Sequence, residues 1–244
     1  LEPGLLFVCI ILAASLLQTS TGFGFSIMAT PFLLLLFAPE EAVQLNIILS
    51  ILISLSLITK IRTDVERALL KRLFLGSIVG VPFGLLVFTF MNILALKLGL
   101  GLLLLLLTSL LIGNVAMKQT PFRDVVVGGL SGVLTASIGM PGPPLLLYFV
   151  GTNMKKEVLR ATTLAFFLFI YTVSLVTQMA FAGTKAFVWQ SSLVALPFLF
   201  IGLFLGQLLF KRLNQRVFKW FTYVLLIGTG MYLLIESIGA IYFR

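Results

Sequence analysis

Two short stretches concentrate the groups able to do chemistry in an otherwise apolar chain. They are Thr19-Ser20-Thr21-Gly22-Phe23-Gly24-Phe25-Ser26 and Ser137-Ile138-Gly139-Met140-Pro141-Gly142-Pro143-Pro144. Glycine and proline at this density stop a helix. A helix restarting after each break presents unpaired backbone N–H groups and a partial positive charge, which together favour an anion. Ser20, Thr21, Ser26 and Ser137 add hydroxyl donors, and Gly22, Gly24, Gly139 and Gly142 let backbone approach a ligand closely. The competing reading is that the glycines serve tight helix packing and the hydroxyls satisfy their own backbone.

Further candidates flank the breaks. Arg160 stands about one turn into its helix, three residues after Glu157, either attracting an anion or extending to the interface. Asn46 follows the first break much as Thr162 and Thr163 follow the second, so all three can line one cavity or bond between helices. Gln18, Gln44 and Gln178 are weaker candidates of this kind, and Lys97 is read as extending to the interface. The chain has no histidine, and no Asp or Glu falls deep in an apolar run. That inventory argues against an intramembrane proton relay, His-dependent catalysis, and a carboxylate site for a cationic substrate. With no phosphate-binding loop and one cysteine, Cys9, neither ATP coupling, an enzyme activity nor a metal or other cofactor is expected.

The elements that must position these groups are read from hydropathy. Of 244 residues, 60% are hydrophobic and 10% charged, far below the charge of a water-exposed domain. Six runs read as simple membrane spans: 42–59, 73–90, 93–112, 158–182, 187–210 and 217–235. Leu5–Phe37 and Val125–Val150 are apolar but contain the breaks, and irregular backbone at membrane depth survives only beside protein or a wet cavity. The first run lacks a basic leader and a small-residue cleavage site, so it is read as part of the membrane domain. The net charge of +9 comes from Lys and Arg in the short connections, which argues against a nucleic-acid partner.

The halves repeat. At an offset of 122, Gly80, Gly84, Leu86, Phe88, Asn92 and Lys97 match Gly202, Gly206, Leu208, Phe210, Asn214 and Lys219. The expected architecture is all-α: repeat 1 over 1–113, a linker at 114–123, and repeat 2 over 124–244, each a re-entrant hairpin plus three spans. If both broken segments are re-entrant, fourteen Lys and Arg share one face against three on the other, the bias of a cytoplasmic side. Three spans per repeat invert the second half. Both termini are then expected outside, the first hairpin entering from outside and the second from the cytoplasm, with their tips near the midplane. Pro82 and Pro197 are expected to kink their spans, and the Gly80/Gly84 and Gly202/Gly206 pairs to be packing faces.

In order and spacing these features resemble the sulfite exporter TauE/SafE family of membrane permeases. The resemblance is carried by Thr21-Gly22-Phe23-Gly24-Phe25 with Pro31, Ile138-Gly139-Met140-Pro141-Gly142-Pro143-Pro144-Leu145, Leu159-Arg160-Ala161-Thr162-Thr163 and the paired Gly-x3-Gly motifs. It implies an all-helical prokaryotic inner-membrane protein that transports sulfite, organosulfonates or related small anions, often as an exporter. An anion channel with the same two helix ends, or a non-transporting scaffold subunit, are the other readings. A homodimer through an apolar face is compatible with this surface. Transport is expected either down the electrochemical gradient or with a proton carried by the substrate itself. For a divalent anion leaving a cell that is negative inside, the potential contributes about 2 × 2.3 kcal/mol per 100 mV, enough for export to run without an extra coupling ion.

Overall fold

Lipid cannot satisfy backbone N–H and C=O groups, so a chain this apolar must bond its backbone internally. The computed structural model describes residues 3–90, 93–113, 118–150, 152, 154–212 and 215–242, and all regular structure among them is helical. The helices are α1 (Pro3–Thr21), α2 (Phe25–Leu36), α3 (Pro39–Ile61), α4 (Arg67–Phe90) and α5 (Ile93–Ile112) in the first half. In the second half they are α6 (Pro121–Ile138), α7 (Gly142–Val150), α8 (Lys156–Ala182), α9 (Ala186–Arg212) and α10 (Gln215–Tyr242). Asn92, Asn214, Arg244 and residues 114–117 of the expected linker lie outside the described residues.

Helices α1, α3, α4, α8 and α9 are long and apolar enough to cross a membrane. Apolar side chains such as Leu75, Val79 and Phe83 of α4 and Leu193, Phe200 and Phe204 of α9 face outward, as a multi-pass membrane protein requires. Hydropathy located α5 to the residue but shortened α3, α4 and α10, because a helix continues past the hydrocarbon through residues that are polar. Arg67, Lys71 and Arg72 form the first turns of α4, and Glu40 and Glu41 the first turn of α3. Each broken segment resolves into a long and a short helix: α1 and α2, then α6 and α7. α6 begins at Pro121, where the Thr120 hydroxyl accepts from the Arg123 N–H at 3.3 Å. Pro82 and Pro197 lie inside continuous helices.

Glycine ladders set which helices touch. A Cβ at Gly76, Gly80 or Gly84 of α4 would stand 1.9, 2.1 or 2.3 Å from the carbonyl oxygens of Val125, Gly129 or Val133 of α6. Only glycine permits this approach. α9 meets α1 the same way: a Cβ at Gly202 would lie 2.8 Å from Leu12 O, and one at Gly206 2.7 Å from Leu16 O. Leu12 and Leu16 stand 10 and 6 residues before Gly22, and Gly129 and Val133 stand 10 and 6 before Gly139. A third contact is reciprocal, Gly101 of α5 facing Leu234 of α10 and Gly230 facing Leu105. Each long helix beside a break is therefore seated on a helix from the other half of the chain.

Contacts at the two ends of the bundle define the direction of each element. At one end the Phe7 ring meets Phe37 at 5.6 Å and Phe37 meets Phe187 at 5.8 Å. Glu41 pairs with Lys185 at 2.9 Å, and the Gln44 amide donates to Gly183 O at 2.8 Å. At the other end Asp124, fully buried, accepts from Arg72 at 2.8 Å and from the Tyr148 hydroxyl at 2.6 Å. There too the Glu66 N–H donates to the Thr162 hydroxyl at 2.9 Å. Thus α1 and α2 run antiparallel and close together at one end, α6 and α7 at the opposite end, while α3 and α8 run antiparallel between them. Lys97, read as extending to the interface, pairs with Glu236 of α10 at 2.6 Å.

Candidate functional site

At the first tip α1 stops after Thr21. Gly22 (φ 89°) and Gly24 (φ 125°) occupy conformations that a side chain disfavours, and Gly24 precedes α2. The Gly22 N–H returns to Gln18 O at 2.7 Å. A Cβ on Gly22 would lie 3.1 Å from Arg160 Cα, so the bend rests on the first turns of α8. Arg160 is only 7% exposed. Its burial under the tip differs from the interfacial alternative, because the close glycine contact covers its stem.

At the second tip Gly139 (φ 71°) closes α6. Its N–H reaches Thr135 O at 2.8 Å, and the Met140 N–H reaches Leu134 O at 3.2 Å. Two side-chain amides then take carbonyls that the helix leaves over: Asn46 Nδ2 donates to Gly139 O at 2.7 Å, and Gln178 Nε2 to Ala136 O at 2.9 Å.

The tips do not lie side by side. Gly22 lies at Arg160, whereas Gln178, about 27 Å further along α8, bonds to Ala136 one turn before the second tip. What meets near the middle is the start of α2 and the start of α7. A Cβ on Gly142 would be 3.4 Å from Ile27 Cδ1 and 3.9 Å from the Phe167 ring, midway along α8. Two positive helix ends therefore converge while the bends themselves pass one another. They are unequal: Phe25, Ser26 and Ile27 of α2 all carry N–H groups, whereas Pro143 and Pro144 remove two from the first turn of α7.

Around this crossing runs a seam of buried polar groups. α3 contributes Asn46, Ser50 and Ser54 at successive turns; α8 contributes Thr163, Tyr171, Ser174 and Gln178; α2 contributes Ser26 and Thr30; α1 contributes Gln18. The hydroxyls of Thr30, Ser50, Ser54, Thr163, Tyr171 and Ser174 and the whole Gln18 amide are buried with no hydrogen-bond partner in the protein. Tyr171 faces Ser26 and Ser50. Each unpaired buried polar group costs about 1–3 kcal/mol, so a run of them in one seam calls for an occupant that hydrogen-bonds.

The residues singled out by sequence therefore separate into groups. Gly22 and Arg160 come together, as do Asn46 and Gly139; Ser26, Gly142 and Thr163 belong to the crossing and its seam. The hydroxyls of Ser20, Thr21 and Ser137 return to Leu17 O at 3.0 Å, Leu17 O at 2.8 Å and Val133 O at 2.7 Å within their own helices. Thr162 is committed to Glu66 at the start of α4. Tyr171, Ser50, Ser54, Thr30 and Ser174 were missed. Their signal was small or hydroxylated residues three or four apart in apolar spans, which is legible only once one face is known to look inward.

A cleft of about 60 Å³ opens at the Glu41–Lys185 end, lined by Glu40, Glu41, Gln44, Ala182, Gly183, Thr184 and Lys185. The hydrogen bond to Glu41, followed by that carboxylate's charge, holds the Lys185 ammonium above its ordinary pKa.

Among known proteins, the family model described as sulfite exporter TauE/SafE matches residues 6–233. No curated protein and no solved structure matches the chain.

Proposed function

Because the chain belongs to the sulfite exporter TauE/SafE family, we propose that it is a permease for sulfite, organosulfonates or similar small sulfur-containing monoanions and dianions. The observation that carries this reading is the convergence of the α2 and α7 N-termini within a seam of buried, unpaired hydroxyls. Helix ends and hydroxyls supply donors, and Arg160 supplies positive charge on the approach from the basic end. A small oxyanion of sulfur offers several acceptor oxygens to such a set. The seam holds no carboxylate among the described residues, so nothing repels the negative charge.

The two halves are read as inverted repeats, each a re-entrant hairpin with three spans. In support, the α4–α6 and α9–α1 ladders correspond position by position, and the two hairpins close at opposite ends of the bundle. The Glu41–Lys185 end is read as outside, with both termini there, and the Arg72–Asp124 end as the cytoplasmic side of a prokaryotic inner membrane. Transport is read as alternating access, the crossing being exposed to one side and then the other.

The test is uptake into proteoliposomes of sulfite, sulfoacetate and sulfate, with a cation control, under a set potential. Saturable uptake of a sulfur anion with counter-transport is expected, and Tyr171→Phe and Ser50→Ala should lower it while leaving the protein folded. Flux that never saturates and shows no counter-transport would assign a channel instead; no flux of any of these anions would remove the proposal.

A further inference from the structure

The polarity of the second tip is opposite to that of an anion site. Asn46 and Gln178 each carry one donor end and one acceptor end. A backbone carbonyl can only accept, so their bonds to Gly139 O and Ala136 O fix both NH₂ groups against α6. What remains is Asn46 Oδ1 and Gln178 Oε1, two acceptor oxygens on residues 0% exposed, neither with a hydrogen-bond partner in the protein. They stand at the C-terminal end of α6, where the helix dipole is negative. One turn away along α3 and α8 lie the unpaired hydroxyls of Ser50 and Ser174. The free acceptor oxygens and the C-terminal end of α6 together favour positive charge.

We propose that the second tip binds a small alkali-metal cation, held by Asn46 Oδ1 and Gln178 Oε1 with Ser50 and Ser174 as further oxygen ligands. Discontinuous helices in transporters place cations at such C-terminal ends and anions at N-terminal ends. The ligands are all neutral. Glu40 and Glu41 stand at the start of α3, Glu41 paired with Lys185, and Asp124 is paired with Arg72 at the far end of α6. A divalent ion, which prefers several carboxylates, is therefore disfavoured. The cleft lined by Glu40, Glu41 and Lys185 opens at this same end of the bundle. Ser50 is shared with the Tyr171 side of the crossing, so cation and anion would be coupled through α3. That coupling rests on the anion reading above; cation binding does not. It also departs from the expectation of flux down the gradient or with a substrate-borne proton, neither of which needs a second ion site.

Binding is read without transport, from the thermal midpoint of the full chain in detergent. NaCl, KCl and choline chloride are compared at equal ionic strength. A saturable rise with Na⁺ or K⁺ that choline does not reproduce is expected, since a ligand of the folded state stabilises it. Equal midpoints in all three salts would overturn the site whatever the anion assays show. Gln178→Met should weaken apparent cation affinity by about tenfold or more; an unchanged affinity would likewise overturn it. If that variant does not fold, Ser174→Ala decides: that hydroxyl makes no bond within the protein, so its loss should weaken cation affinity without loosening α6, and unaltered affinity would refute the proposal.

Discussion

The two broken segments share one backbone plan and are furnished with different chemistry. Gly22 rests on Arg160, which stands 21 residues after Gly139; Gly139 rests on Val43, which stands 21 residues after Gly22. At these corresponding positions one tip has a buried cation and the other a valine. Asn46, which ties down Gly139, corresponds to Thr163, whose hydroxyl is unpaired. Similar bends at equal spacings thus set similar geometry at both tips, while the residues around them give each tip its own charge. Seating differs as well. The second hairpin presses backbone to backbone on α4, whereas the nearest atom to a Cβ at Gly202 is the movable Ser15 hydroxyl, at 2.2 Å.

The difference in seating predicts the largest effect. Gly80→Ala would drive a methyl to 2.1 Å from Gly129 O, whereas Gly202→Ala would meet the rotatable Ser15 hydroxyl and, less severely, Leu12 O at 2.8 Å. Both should destabilise, Gly80→Ala by about 1–3 kcal/mol more than Gly202→Ala, compared by thermal denaturation in detergent. Equal losses would mean that the two ladders are interchangeable.

Charge at the first tip comes next. Replacing Arg160 with Gln should lower anion flux about 10–100-fold, the range for losing a charged hydrogen bond, with the protein still folded by size exclusion. Val43→Ala at the corresponding place removes no charge from this buried position, so flux per folded protein should stay within about twofold even though some stability is lost. Similar losses from both would deny the tips their division of labour.

Asn46→Leu should cost about 1–3 kcal/mol of stability, because Gly139 O loses its donor in a buried site. Thr163→Val should cost much less, since its hydroxyl makes no bond within the protein. The same thermal assay ranks them, and reversal of that order would contradict the hydrogen bonding described.

The smallest effect is at the Glu41–Lys185 pair, which fastens α3 to the end of α8 near the second tip. The folded-state pKa of Lys185 is raised, so its contribution is complete below the ordinary value of 10.5 and is lost as pH climbs through the raised one. Stability of the wild type relative to Lys185→Met should therefore converge in strong alkali. The corresponding fastening at the other end, Glu66 N–H to Thr162, contains no group that titrates there. A constant difference at all pH values would show that the pair is inert.

Much of this organisation was legible in one dimension. Bilayer thickness imposes a length on apolar runs, so α5 and the middle of every other long helix followed from hydropathy. Glycine and proline act on their own backbone, so the breaks at Gly22–Gly24 and Gly139–Pro141 and the glycine packing faces were visible too. The family resemblance, carried by the order of those same local signals, agrees with the family match. The partners of each group were not legible, because they depend on contacts between residues far apart in the chain. Arg160 is covered because Gly22 reaches it across the bundle, and Asp124 is buried because Arg72 and Tyr148 converge on it. The bends reach different levels of α8, Gly22 at Arg160 and Ala136 at Gln178, which no local spacing encodes. Sequence determined which residues are available as donors and acceptors. Only the tertiary structure decided which of them were used up on the protein's own backbone and which were left over, because a hydrogen-bonding group has few valences and packing decides where they go.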